Sequence, residues 1–517
     1  MKINRALVSV YDKTGVVEFA RKLTDFGVAI LSTGGTATAL QQAGVPHLRV
    51  DAVTSFPEIL GGRVKTLHPA IHAGILFRRD MEEDRRTLAE LGIEPIDLVA
   101  VNLYPFARTA ADTHAAPEAV IEMIDIGGPA MLRSAAKNHR WVLPVCRPTR
   151  YDDVIRALEA GGVSDDFRRV LAAEAFEHTS QYDRAVAAYF AGGGAAGGRE
   201  EFPEDLILHF HKFQPLRYGE NPHQKAAFYL PGHEAAAFQQ FGGKELSYNN
   251  FLDLDAAAGL VHEFVEPCVA LLKHTVPCGV ASGGDLVGCY RRAFATDQSS
   301  PFGGIVGVNR PVTAALASEL VEVFYEVVVA PDFEEEALEI LRKKKNLRLV
   351  KLWKAPSQGR ELRTAFGGLL AQDRDRICAD AASWRTVTKR PPTETELRAL
   401  EFAWKVARWA KSNAIVFTDG EAGNEHRTLG IGLGQTSRVD AVELAVARSK
   451  KYGTNLQGSV TASDAFFPFA DGAEAVLAAG ATAIVQPGGS VRDAEVIAAC
   501  DRRGAAMVFT GERHFRH

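Results

Sequence analysis

One short segment limits what this chain can fold into more than any other: Ala191-Gly192-Gly193-Gly194-Ala195-Ala196-Gly197-Gly198. Glycine has no side chain to bury, and a run of it stays flexible, so no core continues through it. The charged, proline-containing stretch from Arg199 to Asp205 follows directly. At 517 residues the chain is also too long for one ordinary core, since domains cluster near ~100–200 residues. The sequence predicts two folded parts, residues 1–195 and 199–517, the second long enough to divide again. A basic helical stretch near Leu341 to Lys351 and the Pro391-Pro392 turn suggest that division. No short-period repeat is evident.

Strand and helix patterns alternate in the first part. Ala6 to Val10 is a β-rich apolar run, and Asp12 is placed to cap the helix after it. That helix carries Val16, Val17, Phe19, Ala20 and Leu23 on one face and ends near Gly27. A strand from Val28 to Leu31 leads into Ser32-Thr33-Gly34-Gly35-Thr36, and a second helix stops at Gly44. Leu98 to Leu103 and Trp141 to Val145 read as further buried strands. Such alternation implies an α/β fold with a parallel sheet and helices on both faces.

The net charge of -5 argues against a general nucleic-acid binder, which needs a basic face. The six cysteines are scattered without a CxxC, as expected in a reducing compartment. The N-terminal apolar run is too short for a signal peptide, and the stretch near Ala475 to Val485 is too short to span a bilayer. A cytoplasmic protein with no membrane partner is expected.

Ser32-Thr33-Gly34-Gly35-Thr36 fits a phosphate seat, because glycines allow close approach and a helix N-terminus favours anions. A plain strand–helix turn fits it equally. GxxxxGK[ST] is absent, and Gln435 breaks GxGxxG after Gly430-Ile431-Gly432-Leu433-Gly434, so ATP and NAD lose their usual motifs. Gly61-Gly62-Arg63-Val64-Lys65-Thr66 offers phosphate-grade donors. Asn102-Leu103-Tyr104, Asp125-Ile126-Gly127-Gly128 and Ala136-Lys137-Asn138-His139 each interrupt or follow an apolar run, so each suits an element end. In the second part, Arg217-Tyr218-Gly219-Glu220-Asn221-Pro222-His223-Gln224 is dense in donors. Lys273-His274 directly follows an apolar strand and precedes Pro277-Cys278-Gly279. Ser463-Asp464-Ala465-Phe466-Phe467-Pro468-Phe469 suits either core packing or a wall for a flat ligand.

In chain order, STGGT, GGRVKTLHPxxHAGIL, NLYPF, DIGG, AAKNH, RYGENPHQ, KHxxPCG, GIGxGQxSR and SDAFFPF resemble the bifunctional purine biosynthesis family. That family joins phosphoribosylaminoimidazolecarboxamide formyltransferase to IMP cyclohydrolase. The resemblance implies an N-terminal methylglyoxal-synthase-like, doubly wound parallel sheet over residues 1–195. It implies a formyltransferase part over residues 199–517 made of two cytidine-deaminase-like α/β subdomains. The implied reactions formylate aminoimidazole-carboxamide ribotide (AICAR) with 10-formyltetrahydrofolate, then close the product, FAICAR, to IMP with loss of water. Partners are thus AICAR, FAICAR, IMP and reduced folate, and a homodimer. Zinc is not expected: Pro277-Cys278 lacks a second cysteine where PCxxC needs one, and no HxE occurs.

The resemblance also implies roles. For formyl transfer, His274 is the base, Lys273 stabilises the tetrahedral intermediate or protonates the leaving folate nitrogen, and Asn413 holds the formyl oxygen and the histidine in register. Arg217, Tyr218, Arg438 and Arg513 match ribotide contacts, and Val439, Phe466, Ser490 and Val491 match the folate pocket. For cyclisation, Asp125 and Lys137 match a proton-transfer pair, Tyr104 an oxyanion stabiliser and Lys65 an orienting cation. Ser9, Lys13, Thr33, Gly35, Thr36, Arg63, Thr66 and Asn102 match substrate-binding positions. Two departures stand out: Val276 where relatives often carry Asn or Ser, and Gln298 where bacterial relatives often carry proline. Valine offers no side-chain hydrogen bond to orient His274. The competing readings are a chain that retains cyclohydrolase activity alone, its second part a scaffold, and a non-catalytic nucleotide sensor.

Overall fold

The computed structural model describes residues 2–191, 202–232, 235–353, 359–377, 380–420 and 424–517. The glycine run from Gly192 to Gly198 lies outside the described residues. By internal contacts the chain divides into two compact units, Met1–Leu206 and Ile207–His517.

The first unit is built on five parallel strands in the order β3-β2-β1-β4-β5. These are β1 (Arg5–Val10), β2 (Ala29–Ser32), β3 (Leu48–Arg49), β4 (Leu98–Asn102) and β5 (Leu143–Val145). The order turns back between β1 and β4, and in such sheets a crevice opens at the strand C-termini there. Helix α1 (Val16–Asp25) buries Val16, Phe19, Ala20 and Leu23 against one face. Asp12 does not cap it: its carboxylate accepts from the Thr14 amide and hydroxyl, and Gly15 in the left-handed region opens the helix. Helix α2 (Gly34–Gln42) begins immediately after β2. Helices α3 (Gly127–Lys137) and α4 (Asp165–Ala191) pack together near β5.

The second unit opens with a hairpin, β6 (Phe210–Leu216) and β7 (Ala226–Pro231), and holds a twelve-stranded sheet whose connectivity repeats. An edge strand β8 (Phe238–Gly242) is followed by α5 (Tyr248–Val261), the hairpin β9 (Cys268–Lys273) and β10 (Val276–Ser282), and α6 (Leu286–Phe294). Three parallel strands then alternate with two helices: β11 (Ile305–Val308), α7 (Ala314–Leu320), β12 (Val327–Ala330), α8 (Glu335–Leu341) and β13 (Arg348–Leu352). A separate hairpin, β14 (Arg360–Ala365) and β15 (Gly368–Asp373), leads to the second half. There β16 (Arg385–Thr386) is the edge, followed by α9 (Glu394–Arg408), β17 (Ile415–Thr418), β18 (His426–Gly432) and α10 (Arg438–Tyr452). The half closes with β19 (Val460–Ser463), α11 (Ala470–Ala478), β20 (Ala483–Gln486), α12 (Asp493–Arg502) and β21 (Ala506–Phe509). Both halves have the same pairing: hairpin, antiparallel neighbour, two parallel strands and an antiparallel edge. This is the pair of like α/β subdomains that the motif order implied.

The second half starts with β16, so the division precedes Pro391; the two prolines instead lead into α9, capped by Thr393 and Glu396. The basic stretch after Leu341 is not helical. Helix α8 stops there and β13 begins at Arg348, whose backbone pairs in register with Val327 on β12. Among the described residues no helix is long and apolar enough to cross a membrane.

The repeat extends to single glycines. A Cβ on Gly279 of β10 would lie 2.0 Å from the Ala293 carbonyl oxygen of α6. A Cβ on Gly430 of β18 would lie 2.6 Å from the Ala445 carbonyl oxygen of α10. Each glycine lets a helix backbone sit directly on the sheet, so added volume must displace backbone on either side. Gly279→Ala and Gly430→Ala should each lower the unfolding free energy by about 3 kcal/mol or more. Chemical denaturation of the full chain measures this, and a loss below about 1 kcal/mol for either would contradict the packing.

Candidate active sites

A cavity of about 660 Å³ opens at the C-terminal ends of β1 and β4. It gathers Ser9, Lys13, Thr33, Gly35, Thr36, Arg63, Lys65, Thr66, Asn102, Tyr104 and Asp125, which lie far apart in sequence. One end suits an anion. No side chain caps α2, so its first N–H groups face outward from Thr33. The Lys65 ammonium lies 3.6 Å from where a Gly34 Cβ would sit, and that of Lys13 lies 4.0 Å from the same point on Gly35. Burial and the neighbouring Lys65 charge push the Lys13 amine below its ordinary range. The Ser9 and Thr33 hydroxyls share a hydrogen bond of 2.8 Å. The Thr36 hydroxyl accepts from Val10 N and donates to Val10 O, tying α2 to β1. Asn102 holds the rim in place: its carbonyl accepts from Tyr11 and Asp12 N–H, and its amide donates to Asp12 O.

The other end is acid–base in character. Asp125 precedes α3 and is largely buried; its carboxylate accepts from Gly128 N at 2.8 Å and from the Tyr104 backbone. Burial raises its pKa, against the opposing pull of those N–H groups and of Lys65. A Cβ on Gly128 would lie 2.5 Å from the same carboxylate, so only glycine leaves room for it. Tyr182 on α4 fixes the loop, donating from its hydroxyl to Met123 O and accepting from Asp125 N at 2.8 Å.

Lys137 does not join this group. It ends α3, a helix whose start is beside Asp125, and a rise of about 1.5 Å per residue separates the two by roughly 15 Å. Its side chain is exposed and does not line the cavity. Within one chain the cation that bears on Asp125 is Lys65, and Lys137 lies apart from it. Glu58, Glu122 and Tyr182 were not singled out from sequence. Glu122 pairs with Arg63 across the mouth, and Glu58 lines the cavity beside it. None lies in a distinctive motif, and only the fold brings them near.

In the second unit the halves join at β10 and β18, which pair at two positions only: Ala281 with Arg427, and Ser282 with His426. The buried Thr428 hydroxyl accepts from Val280 N, and the Thr296 hydroxyl donates to Thr428 O. Beyond them the strands part. At that parted end β9 and β10 are joined by His274-Thr275, and β17 begins just after Lys411-Ser412-Asn413. Lys273 donates to Phe302 O at 2.9 Å, while His274 is exposed. Asp253 of α5 accepts from Thr275 N at 2.5 Å and feels the charges of both His274 and Lys411, which places the two halves' groups together.

Asn413 donates to Gln435 O and accepts from Arg438. Arg438 is buried and also donates to Ser463 and to Asp464, so its guanidinium organises the site from within. Val439, Phe466, Ser490 and Val491 follow along the same sheet edge, after β18, β19 and β20; Gln486 ties two of these loops by accepting from Phe467 N. Val491 is fully exposed. The C-terminal segment crosses this edge through His514 N to Asp464 O and Ser412 N to Arg516 O. Arg513 itself is exposed, stacked over Phe515. Arg217 stacks on Tyr218 and donates to its hydroxyl at 2.8 Å, in a loop linked to α5 through Asn249 and Glu220. Val276 starts β10 opposite Lys273, and Gln298 is exposed. Among the described residues no three His, Cys, Asp or Glu side chains are grouped to hold a metal ion.

Comparison with known proteins agrees with this layout. A family model described as the AICARFT/IMPCHase bienzyme matches residues 135–448, and an MGS-like domain matches residues 15–130. The bifunctional purine biosynthesis protein PurH of Chloroflexus aurantiacus is 54% identical, over 100% of this chain and 99% of the relative. PurH of Acidithiobacillus ferrooxidans is 51% identical over the same shares. The crystal structure of ForH aligns with 37% of this chain and 100% of its own, at 38% identity and a TM-score of 0.33. With over half of its length matched by the family model and full-length relatives above 50% identity, the chain belongs to the AICARFT/IMPCHase bienzyme family.

Proposed function

We propose that the two activities of this bienzyme are divided between its two units, cyclisation in the first (residues 1–195) and formyl transfer in the second (199–517). The chain is a bifunctional enzyme of purine synthesis, converting AICAR to FAICAR and FAICAR to IMP. Its formyl group comes from a formyl-folate, which we take to be 10-formyltetrahydrofolate. We further read it as a cytoplasmic homodimer that needs no zinc, NAD or ATP. Exposed Phe366, Leu369 and Leu370 on the β14–β15 hairpin offer apolar surface for a second copy.

The observation that carries the cyclisation assignment is one cavity that holds an anion seat and a largely buried carboxyl, with Lys65 bearing on both. The ribotide phosphate would sit on the α2 N-terminus between Lys13 and Lys65, relieving their mutual repulsion. The carboxamide nitrogen then attacks the formyl carbon. Asp125, raised by burial toward the range of a useful base, takes the proton released as the carbon–nitrogen bond forms. Lys65 and the Tyr104 hydroxyl face the oxygen that gains charge; it takes back the proton held by Asp125, and it leaves as water when the ring nitrogen gives up its second hydrogen and the carbon–nitrogen double bond forms. Asn102 positions the rim.

In the second unit the AICAR amine attacks the formyl carbon of the folate. Its lone pair is delocalised into the ring, so its proton must be removed as the bond forms, and His274 is placed for this. Lys273 stabilises the tetrahedral intermediate, and the folate nitrogen leaves with the proton that His274 took from the amine. Asn413, held by Arg438 and Gln435, fixes the formyl oxygen. Exposed Arg217 and Arg513, with half-buried Tyr218, supply donors for the ribotide. Phe466 and Val439, with the loop of Ser490 and Val491, wall the folate.

Separate assays test the division. His274→Ala should lower formyl transfer on the order of 100-fold or more, leaving cyclisation of supplied FAICAR unchanged. Asp125→Asn should do the reverse. Loss of both activities in either folded variant would overturn the two-site reading. Asp125→Asn should also stabilise the protein. An acid with a raised folded-state pKa binds its proton more tightly when folded, so its contribution to stability falls as pH rises above the unfolded value. The gain in melting temperature over wild type should therefore be larger near about pH 7 than near about pH 4; an equal gain at both would contradict the burial of a charged Asp125.

A fragment of residues 1–195 should fold and cyclise FAICAR. One ending before Asp165 should not, because it lacks α4 and the Tyr182 hydroxyl that holds Asp125 N–H. Full cyclisation by the shorter fragment would show that α4 is dispensable.

A further inference from the structure

The turn that carries His274 is built against its own conformational preference. Lys273 and Val276 pair directly, leaving a two-residue loop. Its residues, His274 and Thr275, have φ of 56° and 65°. Two-residue hairpin loops of this kind favour glycine, asparagine or aspartate, because the left-handed region is open to them. A β-branched threonine there is an outlier and needs outside support. The side chain that could lend support from the strand is Val276, which has nothing to donate or accept.

Support comes from the neighbouring helix. Asp253 lies on α5, half-buried, and its Oδ1 accepts the Thr275 N–H at 2.5 Å. That N–H has no partner in the hairpin ladder, so the carboxylate both satisfies it and fixes the loop. Burial raises the Asp253 pKa, and the Thr275 N–H, His274 and Lys411, just before Asn413 in the other half, pull it back. Glu326, at the start of β12, opposes them and is itself engaged by Arg348. Lys273 is turned to Phe302 O.

We infer that Asp253 is a positioning residue for formyl transfer: it clamps the His274-Thr275 turn through Thr275 N–H and presents a carboxylate to the imidazole that takes the substrate proton. This rests on the reading of His274 as the base. As His274 gains a proton, a fixed negative charge nearby stabilises the product of that step more than its start, so the effect belongs in kcat. Asp253 touches neither substrate nor reacting atoms in this arrangement. The Asp253 clamp compensates for Val276, since a backbone N–H does the orienting that a polar side chain there would do.

The test uses the full chain with Asp253→Asn, Asp253→Ala and His274→Ala, each assayed for formyl transfer to AICAR and for cyclisation of FAICAR. Asparagine keeps an acceptor for Thr275 N–H but loses the charge; alanine loses both. Expected is a fall in kcat for formyl transfer of roughly 10-fold for Asn and on the order of 100-fold for Ala, with KM for AICAR nearly unchanged. Cyclisation should stay at wild-type level in all three, which also certifies folded protein. Wild-type kcat in both Asp253 variants, with His274→Ala inactive, overturns the proposal alone. A rise in KM without a fall in kcat overturns it too, assigning Asp253 to binding. An active His274→Ala overturns the reading of the base on which it rests. If Asp253→Ala loses cyclisation as well, Asp253→Asn alone decides.

Discussion

Two positions of pairing between β10 and β18 hold the second unit together, and most of what surrounds them follows from how early that pairing stops. Strands of seven residues each could form a longer ladder. Gly279 and Gly430 instead bring α6 and α10 hard against the sheet, and the Thr428 and Thr296 hydroxyls take over the backbone groups where the ladder ends. A buried N–H or carbonyl left without a partner costs about 1–3 kcal/mol, so the threonines make the parting of the strands tolerable. The parted ends are where groups from both halves meet. A shared core beneath, including Trp409 packed against Gly259 of α5, keeps the halves from separating altogether.

The first unit solves a different problem, that of placing two like charges and one opposite charge in one crevice. Lys13 and Lys65 flank the positive end of a helix, an arrangement that is unfavourable until an anion arrives. Asp125 sits at the other end, destabilised by burial and only partly repaid by Gly128, Tyr104 and Lys65. On the function proposed, a phosphorylated, proton-releasing substrate would offset both costs. This is the pattern expected where binding energy is directed at chemistry.

Much of this was legible in the sequence, for identifiable reasons. Strands β1, β2, β4 and β5 and helices α1 and α2 followed from periodicity, which also put Ser32-Thr33-Gly34-Gly35-Thr36 at a strand–helix junction; Thr33, Gly35 and Thr36 line the cavity. Motif order implied the family and the residues of both sites. What failed was distance. Asp125 and Lys137 are close in sequence, but an 11-residue helix lies between them, so within one chain nearness in sequence became separation in space. Asp12 was a plausible cap, yet its carboxylate found the nearer Thr14. The basic run after Leu341 has helical composition, but the sheet needed a strand at Arg348 and tertiary pairing overrode propensity. The internal repeat left no evident mark in sequence, because it is conserved in topology and in single glycines such as Gly279 and Gly430. Asp253 and Tyr182 carried no motif at all, since each acts through one backbone N–H that only the fold brings within reach.

The repeat also explains why the site is asymmetric. Because β10 and β18 run antiparallel at the join, equivalent positions of the two halves lie at opposite ends of the sheet. The β9–β10 turn with His274 therefore faces the start of β17, with Asn413, and not its own counterpart, the connection between β17 and β18. The described residues of that counterpart lie at the other end, where the strands are paired and Arg292 pairs with Glu425, whose carboxylate lies 2.5 Å from a Cβ position on Gly284. Duplication alone would have produced two similar openings. Pairing at Ala281 and Ser282 closes one of them, so the parting of the strands, and the chemistry it permits, is left to the end where a tight turn from one half meets a strand start from the other.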